Sequence, residues 1–136
     1  MTDFSKYSLL MVDDVPLNLL VVTKMLSRFN FRIRTAANGI EALQKVAEEK
    51  PDLILLDILM PQMDGFEVLR RLRSDPATAD LRVVILSALN TTEDIVKGFN
   101  LGANDFITKP IIMEKLISSV SDQLRLSGKG TSDPSL

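Results

Sequence analysis

The side chains able to do chemistry in this chain are an acidic pair at Asp13-Asp14, a further acid at Asp57, a hydroxyl at Ser87 and an ammonium at Lys109. Each directly follows a short, largely apolar run: Tyr7 to Val12, Leu53 to Leu56, Arg82 to Leu86 and Asp105 to Thr108. Three carboxylates gathered in one place repel unless a cation lies among them, and a hard divalent ion with oxygen ligands relieves that repulsion. A hydroxyl and an ammonium beside such an ion suit phosphoryl transfer, which needs positioning and charge neutralisation more than proton shuttling. Taken singly the same residues are ordinary. An aspartate after a strand is usually a turn or cap residue, Asp14 lies just ahead of Pro16, and Ser87 and Lys109 would pass as a turn hydroxyl and a solvated charge. Their weight comes from meeting at one edge.

The totals narrow the chemistry further. With no histidine and no cysteine, the chain has no disulfide, no thiolate nucleophile, no Cys/His zinc site and no imidazole for acid–base work. A metal would be held by oxygen, which suits Mg²⁺, Ca²⁺ or Mn²⁺. A length of 136 residues, 46% of them hydrophobic and 25% charged, is that of one globular domain. A net charge of −2 gives no general attraction to nucleic acid or to an anionic membrane surface. No positive cluster and apolar run opens the chain, and no apolar stretch approaches the roughly 20 residues of a membrane span. The expectation is a soluble cytoplasmic protein.

The elements that must position these residues follow from the apolar pattern. Tyr7 to Val12, Arg32 to Ala36, Leu53 to Leu56, Arg82 to Leu86 and Asp105 to Thr108 read as strands. The unbroken run Leu53-Ile54-Leu55-Leu56 is typical of a parallel strand covered on both faces. Between the strands lie segments of helical period. Pro16 to Phe29 carries a stripe at Leu19, Val22, Met25, Leu26 and Phe29, with proline in its first turn. Asn38-Gly39-Ile40-Glu41 and Asp64-Gly65-Phe66-Glu67 each place a capping residue three positions ahead of a glutamate, predicting reciprocally capped helices over residues 39–49 and from 65 to about 74. Thr91 caps a fourth, poorly striped helix that runs through Gly98 to Leu101. Met113, Leu116, Ile117, Val120 and Leu124 mark a long last helix. The domain should span residues 5–126, with 127–136 (SGKGTSDPSL) a flexible tail or linker. Five strands alternating with five helices imply a mostly parallel sheet with helices on both faces, where ligands bind beyond the carboxyl ends of the strands.

Four stretches carry a family resemblance: Leu10-Met11-Val12-Asp13-Asp14, then Asp57-Ile58-Leu59-Met60-Pro61-Gln62-Met63-Asp64-Gly65, then Leu86-Ser87-Ala88, and Gly102-Ala103-Asn104-Asp105-Phe106-Ile107-Thr108-Lys109-Pro110. In order and spacing, over about residues 7 to 126, the chain resembles the receiver domains of two-component response regulators. The resemblance implies an α/β fold, a doubly wound, flavodoxin-like five-stranded parallel sheet in the order 2-1-3-4-5, an order for which a chemotaxis receiver is itself a standard example. It implies that Asp57 accepts a phosphoryl group from a phosphohistidine donor. Mg²⁺ or Mn²⁺ would be bound directly by Asp14, partly through water by Asp13, and by Asp57 and the backbone carbonyl of Leu59. Lys109 and Ser87 would hold phosphoryl oxygens, and Phe106 stands at the aromatic switch position, where tyrosine is common. The implied partners are a sensor histidine kinase or phosphotransfer protein, and an output domain or downstream protein reached through the fourth helix, fifth strand and fifth helix, a surface that could also pair two copies. No direct contact with nucleic acid or membrane is implied. Beyond phosphorylating and slowly dephosphorylating itself, the domain is not expected to be an enzyme.

Leu59 and Leu89 depart from the family, being apolar where many relatives are polar. An apolar rim should hinder or fail to orient an attacking water and so prolong the phosphorylated state. The fourth helix, with Gly98 inside it, is the expected mobile element. Rival readings share parts of the pattern. An aspartyl phosphatase of the haloacid-dehalogenase type needs a second carboxylate two residues after the nucleophile, where Leu59 stands. A flavodoxin-like cofactor carrier needs a glycine- and hydroxyl-rich loop after the first strand, where Asp13-Asp14 would repel phosphate. No Gly-x-Gly-x-x-Gly follows a strand, against a dinucleotide. A docking module that keeps the fold without accepting phosphate stays open, although intact Asp14, Asp57 and Lys109 weigh against it.

Overall fold

A computed structural model describes residues 4–127. Five strands alternate with five helices: β1 (Ser8–Val12), α1 (Pro16–Leu26), β2 (Arg32–Ala36), α2 (Gly39–Glu48), β3 (Leu53–Leu56), α3 (Gly65–Ser74), β4 (Arg82–Ser87), α4 (Thr92–Asn100), β5 (Asp105–Thr108) and α5 (Met113–Leu126). All strand pairs are parallel, in the order β2-β1-β3-β4-β5. β1 and β3 are buried at every position, which explains why they are the least interrupted apolar runs. The edge strands β2 and β5 are the mixed ones, each fully burying a single residue, Ala36 and Ile107.

Alternation along the strands divides the apolar side chains between two faces. Leu10, Val12, Ile54, Leu56, Val83 and Ile85 pack with residues of α2 and α3, such as Val46 and Leu69. Leu9, Met11, Leu53, Leu55, Val84 and Leu86 pack with Val22 and Leu26 of α1 and Leu116, Val120 and Leu124 of α5. The doubly wound arrangement is thus a direct result of strands that are apolar at consecutive positions.

The local signals hold in part. Asn38 accepts from the Glu41 N–H at 2.8 Å, and the Glu41 carboxylate reaches back to the Ala37 N–H. Asp64 accepts from the Glu67 N–H at 2.9 Å, but Glu67 does not reach back; Arg70 and Arg71 take its carboxylate instead. The helix predicted to run to Phe29 ends at Leu26 and tightens into a 3-10 turn over Ser27–Phe29, closed by Asn30 at φ 63°. Phe29 belongs to an aromatic cluster in which Phe4 stacks on Phe31 with centroids 4.8 Å apart, tying the segment before β1 to the α1–β2 connection. Only Ser127 of the predicted tail falls among the described residues; residues 128–136 lie outside them. Among the described residues no helix is long and apolar enough to cross a membrane.

The connection from β3 to α3 is unusually close. A Cβ at Gly65 would stand 2.3 Å from the carbonyl oxygen of Asp57 and 2.8 Å from the Ile58 Cα. The Gly65 N–H donates to the Ile58 carbonyl at 2.9 Å. Helix α3 therefore starts directly against the backbone that carries Asp57, which only glycine permits. Gly65→Ala should cost about 2 kcal/mol or more of stability, read as a lower urea midpoint at unchanged slope; an unchanged midpoint would mean that the two segments separate freely.

Candidate functional site

The site is built by strand register. Val12 lies beside both Ala36 and Leu56, Leu56 beside Ile85, and Ser87 beside Thr108. Ladder bonding then continues one residue beyond the strands. The N–H groups of Asp13, Asp57 and Lys109 donate to the carbonyls of Ala36, Val12 and Ser87 at 3.1, 2.9 and 2.8 Å. The backbones of these three candidate residues are held by the same kind of bond as those of the strands themselves.

Asp13, Asp14, Asp57 and Lys109 are brought together as the sequence predicts. One oxygen from each of the three acids lies within 4.8 Å of the others. Asp13 is fully buried, Asp57 is 4% exposed and Asp14 is half-buried. The Lys109 Nζ stands 3.2 Å from Asp13 Oδ2 and 3.7 Å from Asp57 Oδ2. The Val15 N–H donates to Asp13 Oδ1 at 2.9 Å and so fixes how that carboxylate faces the site. This backbone contact has no side-chain signature and is invisible in the sequence. Asp57 Oδ1 is buried without a hydrogen-bond partner.

One ammonium against three carboxylates leaves excess negative charge, and an orphaned buried acceptor is costly. Both features fit a hard divalent cation, for which an all-oxygen donor set is the right chemistry. Electrostatics at Asp57 point the same way. Burial pushes its carboxyl up from the ordinary 3.8 to about 6; Lys109 pulls it down, Asp13 pushes it up, and the Leu59 and Ile58 backbone N–H groups pull it down.

Ser87 is fully buried, and its hydroxyl accepts from the Leu89 N–H at 3.1 Å, which leaves its own hydrogen free to be donated. Ile85 and Phe106 are register partners, and by alternation Ser87 faces the same side as Ile85. Phe106 is half-buried against α4 at Gly98, where a Cβ would stand 2.9 Å from Ile85 Cδ1 and 3.0 Å from Phe106 Cδ2. The glycine that weakens the helical pattern is thus the seat of the ring. The Leu59 side chain is 52% exposed and, with Met60, Phe66, Leu89 and Lys97, lines a hollow of about 520 Å³ just beyond β3.

A family model described as the response regulator receiver domain matches residues 9–121. The chain belongs to this family. Among its relatives, the response regulator PleD of Caulobacter vibrioides is 43% identical over 76% of this chain and 23% of its own length. The DNA-binding dual master transcriptional regulator RpaA of Synechocystis sp. is 38% identical over 86% of this chain and 48% of its own. The chain thus spans less than half of either protein. It covers 93% of Protein PilH of Pseudomonas aeruginosa, at 34% identity. Among solved structures, the signal receiver domain of a histidine kinase from Syntrophus aciditrophicus is 32% identical with a TM-score of 0.84, covering 93% of this chain and 96% of that one. Chemotaxis protein CheY4 of Vibrio cholerae is 28% identical with a TM-score of 0.80, covering 85% and 97%. In this receiver domain the buried cluster of Asp13, Asp14 and Asp57 is a site able to hold a divalent metal.

The raised Asp57 pKa has a stability consequence. Between its ordinary value of 3.8 and about 6 the folded chain keeps a proton that the unfolded chain has lost. The stability this contributes is complete below the lower value and is lost as pH rises through the upper one. In metal-free buffer the wild-type chain should therefore lose, on the order of, 2 kcal/mol relative to Asp57→Asn between about pH 4 and pH 7. Paired denaturation curves with the same pH dependence would place Asp57 at its ordinary value.

Proposed function

We propose that Asp57 is the phosphoacceptor of this receiver domain, charged by the phosphohistidine of a sensor kinase or phosphotransfer protein. The carrying observation is a buried carboxylate with an unpartnered oxygen, 3.7 Å from Lys109 and inside the acidic cluster. The Asp57 oxygen attacks phosphorus as the P–N bond of the donor breaks, giving an aspartyl phosphate and an imidazole that takes its proton from solvent. Asp13, Asp14, Asp57 and the Leu59 carbonyl would hold Mg²⁺ or Mn²⁺, which when bound supplies charge neutralisation and orients phosphoryl oxygens. Lys109, shared between Asp13 and Asp57 at rest, turns to a phosphoryl oxygen.

Ser87 donates its hydroxyl to another phosphoryl oxygen. Drawing that hydroxyl inward takes it from the Leu89 N–H, so the loop entering α4 follows. Phe106, on the same face, moves with it. The α4-β5-α5 surface then carries the signal to an output domain, a downstream protein or a second copy. Exposed Leu17 and Leu20 on α1 and Ile112 and Met113 at the start of α5, on the sheet face that α1 and α5 share, support a macromolecular donor. A cytoplasmic setting, where such donors are charged, fits this reading.

Two measurements test it. Asp57→Asn should abolish labelling by acetyl phosphate in Mg²⁺; a label on another residue, or one indifferent to Mg²⁺, would overturn the assignment, and a wild-type chain that never labels would favour the docking module. Exposed Leu59 and half-buried Leu89 should keep water from the aspartyl phosphate, so Leu59→Asn combined with Leu89→Glu should lose the phosphoryl group about tenfold faster. A decay rate equal to the parent's would remove the apolar rim as a timing device.

A further inference from the structure

Helix α4 is held very unevenly along its length. At its C-terminal end Arg73, from the last turn of α3, reaches the α4–β5 connection. Its Nε and Nη2 donate to the Gly102 carbonyl at 3.1 and 2.8 Å, Nη2 also to Asn104 Oδ1 at 3.1 Å, and Nη1 to the Thr78 carbonyl at 3.4 Å. Asn104 is itself tied to β4, accepting from the Val83 N–H through Oδ1 and donating its own N–H to the Val83 carbonyl, both at 2.8 Å. Gly102 sits at φ 103°, and a Cβ there would stand 2.8 Å from Arg73 Nε, so glycine both makes the turn and admits the guanidinium. The same end is closed by the Ala103 N–H on the Gly98 carbonyl at 3.0 Å. Gly98 is also the one α4 residue that is fully buried.

The other half of α4 has little of this. Thr92, Glu93 and Val96 are exposed, and Asp94 and Ile95 are half-buried. The Thr91 cap bonds only within the helix, to Asp94. Lys97, itself exposed, lies 4.4 Å from the centre of the buried Phe66 ring, a cation–π contact of modest strength. The loop leading in is fastened by the Leu89 N–H on the Ser87 hydroxyl. Burial is thin along the whole helix, Phe99 and Asn100 being exposed as well; the charge-assisted fork at the C-terminal connection is what sets the two ends apart and gives a lever with one fixed point.

We propose that Arg73 makes the C-terminal end of α4 a fixed pivot, so that α4 responds at Ser87 by swinging its N-terminal half rather than by moving as a body. Arg73 acts here as a positioning residue, through the Gly102 and Asn104 backbone and side chain. The link to Ser87 rests on the phosphoacceptor reading above, whereas the pivot is a property of the resting chain.

Amide hydrogen exchange on the full chain tests it. In the unmodified wild type, Ile95 to Lys97 should exchange at least about tenfold faster than Leu101 to Asn104; even protection along α4 overturns the pivot without any variant. Arg73→Lys keeps the charge but cannot fork across three acceptors. It should speed exchange at Leu101 to Asn104 by about tenfold while β1 stays protected; unchanged exchange at those residues also overturns it. With acetyl phosphate and Mg²⁺, once intact mass shows the adduct, changes between residues 88 and 104 should fall on 88–97, and equal changes across 98–104 overturn the swing. If no adduct forms, that counts against Asp57 as acceptor, and the resting gradient still decides the pivot.

Discussion

In a parallel sheet every strand ends at the same edge, and in this chain the ladder runs one residue past β1, β3 and β5, so that backbone hydrogen bonds grip Asp13, Asp57 and Lys109. Carboxylates that would drift apart in solution are thereby held within a few ångströms in a desolvated place. The strain is electrostatic rather than conformational, and it shows in the raised pKa of Asp57 and in its unpartnered oxygen. Lys109 offsets part of it. On the reading proposed here, the remainder is what draws a divalent cation to the cluster, and a phosphoryl group with it. Two apolar cores, one on each face of the sheet, supply the stability that lets the fold carry this charge.

From that edge the structure offers one short route outward. Ser87 bonds the loop before α4 through the Leu89 N–H, and Phe106 shares its face of the sheet, resting against Gly98. On the reading proposed here, chemistry at the hydroxyl is coupled to a helix that is thinly buried along its length and clamped by Arg73 at its C-terminal end. Leu59 and Leu89 stand around the same opening and make it apolar. PleD and RpaA place a segment like this one within longer proteins; on the reading proposed here, the consequences of switching belong to whatever the α4-β5-α5 surface meets.

Much of this was legible along the chain because it is written in local periods. Strands buried on both faces need consecutive apolar residues, so β1, β3 and β4 were found to within a residue at each end. Asn38, Asp64 and Thr91 cap helices as their types suggest. Local periods also mislead. Phe29 continues the α1 stripe yet ends a 3-10 turn and packs on Phe4. Glu67 completes the spacing of a reciprocal cap yet turns to Arg70 and Arg71, whose charges compete for it.

The sequence by itself determined the inventory: which residues end the strands, that no histidine or cysteine takes part, and that the sheet has helices on both faces. Strand order was available only through resemblance, since pairing joins segments far apart and leaves no trace in periodicity. Tertiary structure alone decided that Asp13 is aimed by the Val15 N–H, that Gly65 lets α3 press on the backbone of Asp57, that Gly98 seats Phe106, and that Arg73 reaches Asn104, 31 residues away. Contacts of that kind depend on which backbone atom comes within about 3 Å of which side chain, and residue type and spacing do not encode that distance.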